Sequence, residues 1–317
     1  IYYYWGFLDY DRAVDLLESL RKPWPNLPLE MLGYIARRQG RWDEALKTLM
    51  EAHKLNPQYA QLTYEIGLCH MALRKYEEAE SWMNRCIAIN PRQLTAHLQK
   101  ATIAILAHGD MDNARDGLRS LPSHPLTDYA LLTVDLMAGR NKEALGRLKS
   151  LDYEQYQEQH LYFHKDLAYA AVYHAMKNPV LQKAHAEKAR AAVEKLVIAQ
   201  PCDPRYRAAL GLACAYLGRE DEAVEEAERA VNLYPESKDA AQGPIYLHNL
   251  ARVCAIIGKK EKAAGYLEHL LAVPYCEYLW DIVSVPALRI DSRWASLRDV
   301  PRFQGLLKPA PGSAAGL

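Results

Sequence analysis

The feature that most constrains this chain is a triplet of two small residues and a proline that recurs at a fixed spacing. Gly33, Ala45 and Pro57 follow one another at intervals of 12 residues. The triplet returns 34 residues later, and again in the distal half, as Gly67, Ala79 and Pro91 and as Gly211, Ala223 and Pro235. A 34-residue period predicts one helix hairpin per repeat, in which the two small residues let the helices touch. The proline ends the second helix.

Turn signals and weaker copies extend this pattern along the chain. Glycines lie between the predicted helices at Gly40, Gly109, Gly139, Gly218 and Gly258. Weaker small-residue pairs mark further repeats at Ala101 and Ala114, Leu132 and Ala144, Ala171 and Ala189, and Ala251 and Ala263. The spacing between Ala171 and Ala189 is wider than in the other pairs, which predicts a lengthened turn between the two helices around Asn178-Pro179. The pattern therefore predicts about eight repeat units, one of them incomplete.

The register resembles the tetratricopeptide repeat family over nearly the whole chain. That resemblance implies an all-α fold, a right-handed α-solenoid of helix hairpins with a C-terminal capping segment. Ala13 and Pro25 match only a second helix, so we expect residues 1–25 to be an incomplete repeat and the chain to start inside it. We expect a solenoid of about seven helix pairs over 26–282, a cap over 283–307 and a disordered tail over 308–317.

Motifs near both ends resemble the C-terminal repeat regions of bacterial multidomain signalling proteins. In that group such a region follows a kinase, a nucleotide cyclase or a DNA-binding regulator. The motifs are Tyr4-Trp5-Gly6, Asp9-Tyr10-Asp11-Arg12-Ala13, Gly33-Tyr34-Ile35-Ala36-Arg37-Arg38, Tyr234-Pro235-Glu236-Ser237-Lys238-Asp239 and Pro301-Arg302-Phe303. The resemblance implies a sensory or scaffolding region and carries no catalytic residue into this chain.

The segment Val283–Leu307 departs from the repeat pattern, and its role allows two interpretations. Apolar residues such as Trp294 and Phe303 favour a cap over the last helix pair. The alternative is an anion or phosphopeptide site lined by four arginines: Arg289, Arg293, Arg298 and Arg302.

The balance of charges limits the kind of partner that we expect, and the cysteine pattern favours one type of cellular compartment. The 39 basic and 39 acidic side chains balance, whereas a sequence-independent nucleic-acid binder needs a basic excess. The 6 cysteines show no CxxC pair, which favours reduced thiols and a cytoplasmic location. No apolar stretch approaches the roughly 20 residues of a membrane span. We therefore expect neither nucleic-acid binding nor membrane insertion.

Catalytic signatures are absent, so we expect no enzyme, no catalytic residue and no cofactor. There is no phosphate-binding GxxxxGKS or GxGxxG, no HExxH and no GxSxG. His160 and His164 would share one face of a helix and reach a common metal ion, but no third ligand accompanies them. We therefore predict no metal site, and keep an enzyme or metal-binding protein as one alternative.

The strongest functional prediction is a groove on the concave face, formed by the first helix of each repeat. Counting from the small residue of each first helix selects Glu30, Tyr34, Arg37 and Arg38, then Tyr64, Leu68, Met71 and Ala72. It also selects Tyr2 and Trp5 in the incomplete repeat, and later Ala208, Leu212, Tyr216, His248, Arg252 and Ile256. Aromatic faces beside two arginines suit an extended or helical peptide that carries an acidic residue.

We therefore predict a scaffold or sensory region that binds a protein or peptide. The groove lacks the paired lysines and asparagines that grip a free C-terminal carboxylate in chaperone-binding relatives. A second hypothesis is self-association of the parent protein through an open N-terminal end, where the incomplete repeat would expose Tyr3, Tyr4, Trp5 and Phe7.

Overall fold

The computed structural model describes Tyr4 and residues 9–20, 26–159, 161–276 and 278–308. Within them the chain is an all-α solenoid with one small β-hairpin. The helices are α1 (Tyr10–Leu20), α2 (Asn26–Arg38), α3 (Trp42–Leu55), α4 (Ala60–Ala72), α5 (Tyr76–Ile89), α6 (Leu94–His108), α7 (Met111–Arg119), α8 (Pro125–Met137), α9 (Asn141–Ser150), α10 (Lys165–Ala175), α11 (Pro179–Ala199), α12 (Pro204–Tyr216), α13 (Glu220–Leu233), α14 (Gly243–Ile256), α15 (Lys260–Ala272), α16 (Val285–Ile290) and α17 (Pro301–Leu306). A 3₁₀ helix spans Ser292–Leu297.

Helices α2 to α15 form seven hairpins that contact one another in chain order. The predicted close approach of small residues is confirmed at Gly211, where an added Cβ would lie 3.0 Å from the carbonyl oxygen of Ala223. At Gly33 and Gly67 the nearest atoms belong to Leu49 and Met83, one helical turn beyond Ala45 and Ala79, each at 2.7 Å from the added Cβ. The carbonyl oxygen of Ala45 follows at 3.5 Å from the Cβ at Gly33. A larger side chain at Gly211 would press on the backbone of the second helix.

The predicted turns adopt the conformation that their glycines allow. All five turn glycines have positive φ, between 69° at Gly139 and 81° at Gly258. Arg74 takes the equivalent place 34 residues after Gly40 and has a φ of 58°. An arginine there costs backbone energy, because only glycine enters the left-handed region freely. Its guanidinium donates to the carbonyl oxygens of Leu270 and Val283, at 2.9 and 3.0 Å.

Two local expectations were wrong. The turn near Asn178-Pro179 is short, since α10 ends at Ala175 and Asn178 already caps α11. The extra residues of this repeat lengthen α11 to 21 residues. The stretch around His164 is not a helix but an antiparallel hairpin of β1 (Gln155–Gln157) and β2 (Tyr162–His164). The aromatic residues Tyr156, Tyr162 and Phe163 favour strands there.

The first helices of the repeats (α2, α4, α6, α8, α10, α12, α14) form the inner face of the solenoid, and two loops of the same chain lie against it. The first inner loop comprises residues 234–242, between α13 and α14, and the second comprises residues 273–276 and 278–284, between α15 and α16. Cys276 N–H donates to the carbonyl oxygen of Ala241 at 3.0 Å, so the two inner loops are paired. They connect the last repeats to the first ones.

The segment after α15 packs in two directions. The 3₁₀ helix and α17 contact α14 and α15, with Trp294 and Phe303 fully buried. In addition, α16 contacts α6, and Ser292 Oγ donates to the carbonyl oxygen of Leu136 in α8 at 2.6 Å. The segment thus covers the last hairpin and also reaches across to the first half of the chain.

Candidate partner-binding face

Helix α2 presents two of the predicted groove residues to the first inner loop and to α4. Arg38 donates to Asp239 Oδ2 at 2.5 Å, to Tyr234 OH at 2.9 Å and to Tyr4 OH at 2.7 Å. The carbonyl oxygen of Arg38 accepts from Ala240 N–H at 2.7 Å. Helix α2 therefore binds the turn around Asp239 through both the side chain and the backbone of Arg38.

Each carboxylate oxygen of Asp239 accepts more than one hydrogen bond. Its Oδ1 accepts from the N–H groups of Ala241 and Gln242, each at 3.0 Å, and Tyr10 OH donates to Oδ2 at 3.2 Å. Arg38 is 4% exposed and Asp239 is 0% exposed. Burial opposes the charge of Arg38, but the phenol of Tyr4 and the carboxylate of Asp239 raise its pKa. The pair is a buried ion pair whose hydrogen-bonding capacity is used.

The other predicted residues of α2 form a partly accessible rim. Arg37 is buried and donates to Glu65 Oε2 at 2.6 Å, with its guanidinium 5.5 Å from the Tyr34 ring centre. Tyr34 OH donates to Glu30 Oε1 at 2.5 Å. Burial raises the pKa of Glu30, whereas the hydrogen bond from Tyr34 opposes that shift. Glu30 and Tyr34 are only half-buried, so a molecule arriving from solvent can reach them.

The predicted residues of α4 are covered by the second inner loop. Tyr64, Leu68 and Met71 share a buried cluster with Leu279 and Ile282. Ala72 packs in a second cluster with Trp42 of α3, Ala241 of the first inner loop and Cys276 of the second. In this conformation no partner can contact these α4 side chains unless the inner loops move.

The predicted residues of α12 and α14 have a different setting. Tyr216, His248 and Arg252 line one cavity, together with Ala208 and Leu212. Its volume is about 120 Å³. His248 is 2% exposed and its Nε2 has no partner, while Ile256 packs against the core outside the cavity. Burial, and then the charges of Arg293 and Arg252, hold the pKa of His248 well below its usual value.

Several sequence predictions stay outside this site. Tyr2, Trp5, Tyr3, Phe7 and His160 lie outside the described residues. Tyr4, predicted as part of an exposed N-terminal end, is 3% exposed and packs on Tyr10 and Arg38. His164 is the N-cap of α10 and accepts from Asp166 N–H at 3.2 Å. Among the described residues no three His, Cys, Asp or Glu side chains are grouped to hold a metal ion.

The four C-terminal arginines are engaged within the fold. Arg289 donates to the carbonyl oxygen of Leu307 and Arg302 to Glu268, which is exposed. Arg293 is bound by Asp291, and Arg298 donates to the carbonyl oxygen of Asp291. They do not converge on one site in this conformation.

Sequence reasoning missed the residues that the inner loops contribute, above all Asp239 and Trp280. Trp280 lies 5.4 Å from Tyr129 of α8 between ring centres and lines the cavity. The unusual length of the first inner loop was the available signal, because connections between repeats are normally short. No helix in the described part of the chain has the length and apolarity needed to cross a membrane.

The chain was compared with curated proteins and with solved structures. No curated protein sequence matches the chain. Solved structures with similarity include a MamA double mutant (16% identity, 77% of this chain and 91% of that chain, TM-score 0.25). A tetratricopeptide repeat protein from Parabacteroides merdae matches at 15% identity over 84% of this chain and 87% of its own, with a TM-score of 0.35. The Cut9–Hcn1 hetero-tetramer of the APC/C matches at 12% identity and a TM-score of 0.44 over 94% of this chain, which spans 52% of that chain.

The family model described as tetratricopeptide repeat matches residues 30–93 and 181–241. These stretches contain the three complete Gly–Ala–Pro triplets. The match and the helix hairpins support the tetratricopeptide repeat family for this chain.

Proposed function

We propose that the chain is a protein-interaction scaffold that binds a peptide or protein along the inner face of its solenoid. The observation that carries this proposal is the contact between Arg38 and the segment around Asp239. The inner face there binds a turn of polypeptide through the carboxylate of Asp239 and the N–H of Ala240, and this turn belongs to the same chain. Tetratricopeptide repeat proteins in general mediate protein–protein interactions.

The proposed partner carries an acidic residue and enters by the rim of α2. Glu30 and Tyr34 stand at that rim, and Arg37 and Arg38 lie deeper on the same helix. A partner segment that replaced residues 238–241 would find the same donors that Asp239 and Ala240 now use. The remaining predicted groove residues lie on α4, α12 and α14. They would contact the partner only if the inner loops moved away from these helices.

The wider setting is part of the proposal. We place the solenoid at residues 26–282 and the cap at 283–307, within a larger bacterial signalling protein, on the resemblance of the terminal motifs. We also propose a cytoplasmic location, because the six cysteines are unpaired and five of them are buried. Binding of nucleic acid is not part of the proposed function.

The test compares proteins captured by the purified chain with those captured by a rim variant. Tyr34→Ala removes an aromatic face from the rim, and we expect a specific partner to be captured at least about tenfold less. The control is Arg92→Gln, an exposed loop residue outside the inner face. Equal capture by the wild type and both variants would contradict the assignment of this face to partner binding.

A further inference from the structure

The cavity in the distal half of the solenoid is enclosed by five structural elements and by the second inner loop. Its apolar walls come from α8, β2, α10, α12 and α14, and Leu132, Phe163 and Leu212 are among the side chains that form them. A cavity of about 150 Å³ in an apolar core is enough to bind benzene. The volume of about 120 Å³ found here is somewhat smaller, but the cavity opens to solvent, so the apolar body of a compact molecule can occupy it while a charged group lies toward the opening.

Polar groups without partners line this apolar cavity. His248 Nε2, Asn249 Oδ1 and Trp280 Nε1 are buried and have no hydrogen-bond partner among the described residues. Leaving such a group unsatisfied costs roughly 1–3 kcal/mol, and most buried polar groups in folded proteins are paired. The lining of the cavity thus combines apolar walls with polar groups that the described part of the fold leaves unpaired.

The charges around the cavity single out one arginine. Arg205 is held by Asp203 at 2.6 Å, and Arg293 by Asp291 at 2.8 Å, so each of these charges is already neutralised. Arg252 also lines the cavity and makes no hydrogen bond or ion pair with any described residue. The one lining carboxylate, Asp281, accepts from Tyr278 N–H at 2.6 Å and belongs to the second inner loop.

We propose that this cavity binds a small organic acid, whose carboxylate pairs with Arg252 and whose apolar body fills the space beside Phe163 and Leu212. The guanidinium offers two parallel N–H donors to a carboxylate, which gives a strong and oriented contact. The Nε1–H of Trp280 is a further donor at the same cavity. This site goes beyond the proposed scaffold, since its ligand is a small molecule rather than a polypeptide.

The experiment is calorimetric titration of the whole chain at pH 7 with benzoate and with benzamide, which has the same shape and no charge. We expect benzoate to bind with a Kd below about 1 mM and at least about tenfold more tightly than benzamide. Arg252→Gln should lose that preference, Arg252→Lys should retain part of it, and the control Arg92→Gln should retain all of it. Because Arg252 forms no hydrogen bond or ion pair with the residues that the structure describes, these variants should unfold at the same urea concentration as the wild type.

Two results would overturn the proposal. One is a wild-type protein that binds benzoate no better than benzamide, or an Arg252→Gln variant that binds benzoate as well as the wild type. The other is Arg252-dependent binding of the blocked peptide acetyl-Gly-Glu-Gly-amide as tight as that of benzoate, which would assign the carboxylate to a polypeptide. Loss of benzoate binding with unchanged protein capture would leave the scaffold proposal intact.

Discussion

The inner face of this solenoid has two halves in which an arginine of a first helix is used in opposite ways. On α2, Arg38 is surrounded by partners from its own chain, including Asp239, Tyr234 and Tyr4. On α14, Arg252 lies beside an empty cavity and pairs with no described residue. Both arginines lie on a first helix and point to the inner side.

The difference comes from the inner loops and not from the repeats. Where a loop lies against the first helices, it satisfies their polar groups and fixes them. Where the cavity lies between the second inner loop and helices α12 and α14, Arg252 and His248 Nε2 keep unused hydrogen-bonding capacity among the described residues. Position within a repeat therefore identifies the inner face, but it does not say which part of that face is free to bind a ligand.

The largest expected effect comes from breaking the buried ion pair of the first half. Asp239→Ala should lower the free energy of unfolding by about 3–5 kcal/mol, because Arg38 would stay buried without its counter-charge. Urea unfolding measures this change. The matched control, Glu268→Ala, removes the partner of exposed Arg302 and should cost at most about 1 kcal/mol. A similar loss of unfolding free energy for both variants would contradict the contrast between buried Arg38 and exposed Arg302.

The second prediction concerns His248 in the open half. Its folded-state pKa lies well below the ordinary value of 6.5, so the unfolded chain takes up a proton first as the pH falls. Stability is therefore present above pH 6.5 and is lost below it, by up to about 1.4 kcal/mol per pH unit from this group. His248→Phe should show a correspondingly smaller loss between pH 6.5 and 5.5 in urea unfolding.

The comparison between wild type and His248→Phe has an internal control at pH 8. There the imidazole is neutral in both the folded and the unfolded chain, so the two proteins should show the same pH slope. An equal slope for both proteins below pH 6.5 as well would show that His248 is not held neutral in the fold.

The smallest effect tests Arg74, which joins the repeat turns to the distal part of the chain. Arg74→Ala and Arg74→Gly both remove the hydrogen bonds to Leu270 and Val283. The glycine variant should be the more stable of the two by about 1 kcal/mol, since φ is 58° at this position. Urea unfolding of the pair separates backbone strain from side-chain contacts. Equal stability would mean that the left-handed conformation carries no cost here.

Much of this fold could be predicted from local signals. The triplet beginning at Gly33 predicted helix ends and contacts, because a hairpin depends on residues only 12 positions apart. The turn glycines predicted where the helices are connected, because a tight turn also depends on residues that are close in sequence. The inner-face positions were predicted from helix geometry, and Arg38, Tyr64 and Met71 contact residues of the two inner loops.

The sequence did not predict that loops of the same chain lie against the inner face. The contact of Arg38 with Asp239 joins residues 201 positions apart, and no spacing or motif near either residue signals it. The hairpin at residues 155–164 replaced an expected helical stretch, because its backbone pairing and the packing of Phe163 outweigh a weak helical pattern. Assignment of the inner-face residues to partner binding stays a prediction.

The bond between Arg38 and Asp239 also changes how such a chain comes apart. In an ordinary linear array each repeat contacts only its neighbours, so the terminal units fray first and the rest unzip one by one. Here the early repeats are fastened to a loop from the late ones, and opening either end releases both. The molecule should melt as a single cooperative unit, and a ribosome must synthesise the chain beyond α13 before its first repeats can complete their packing.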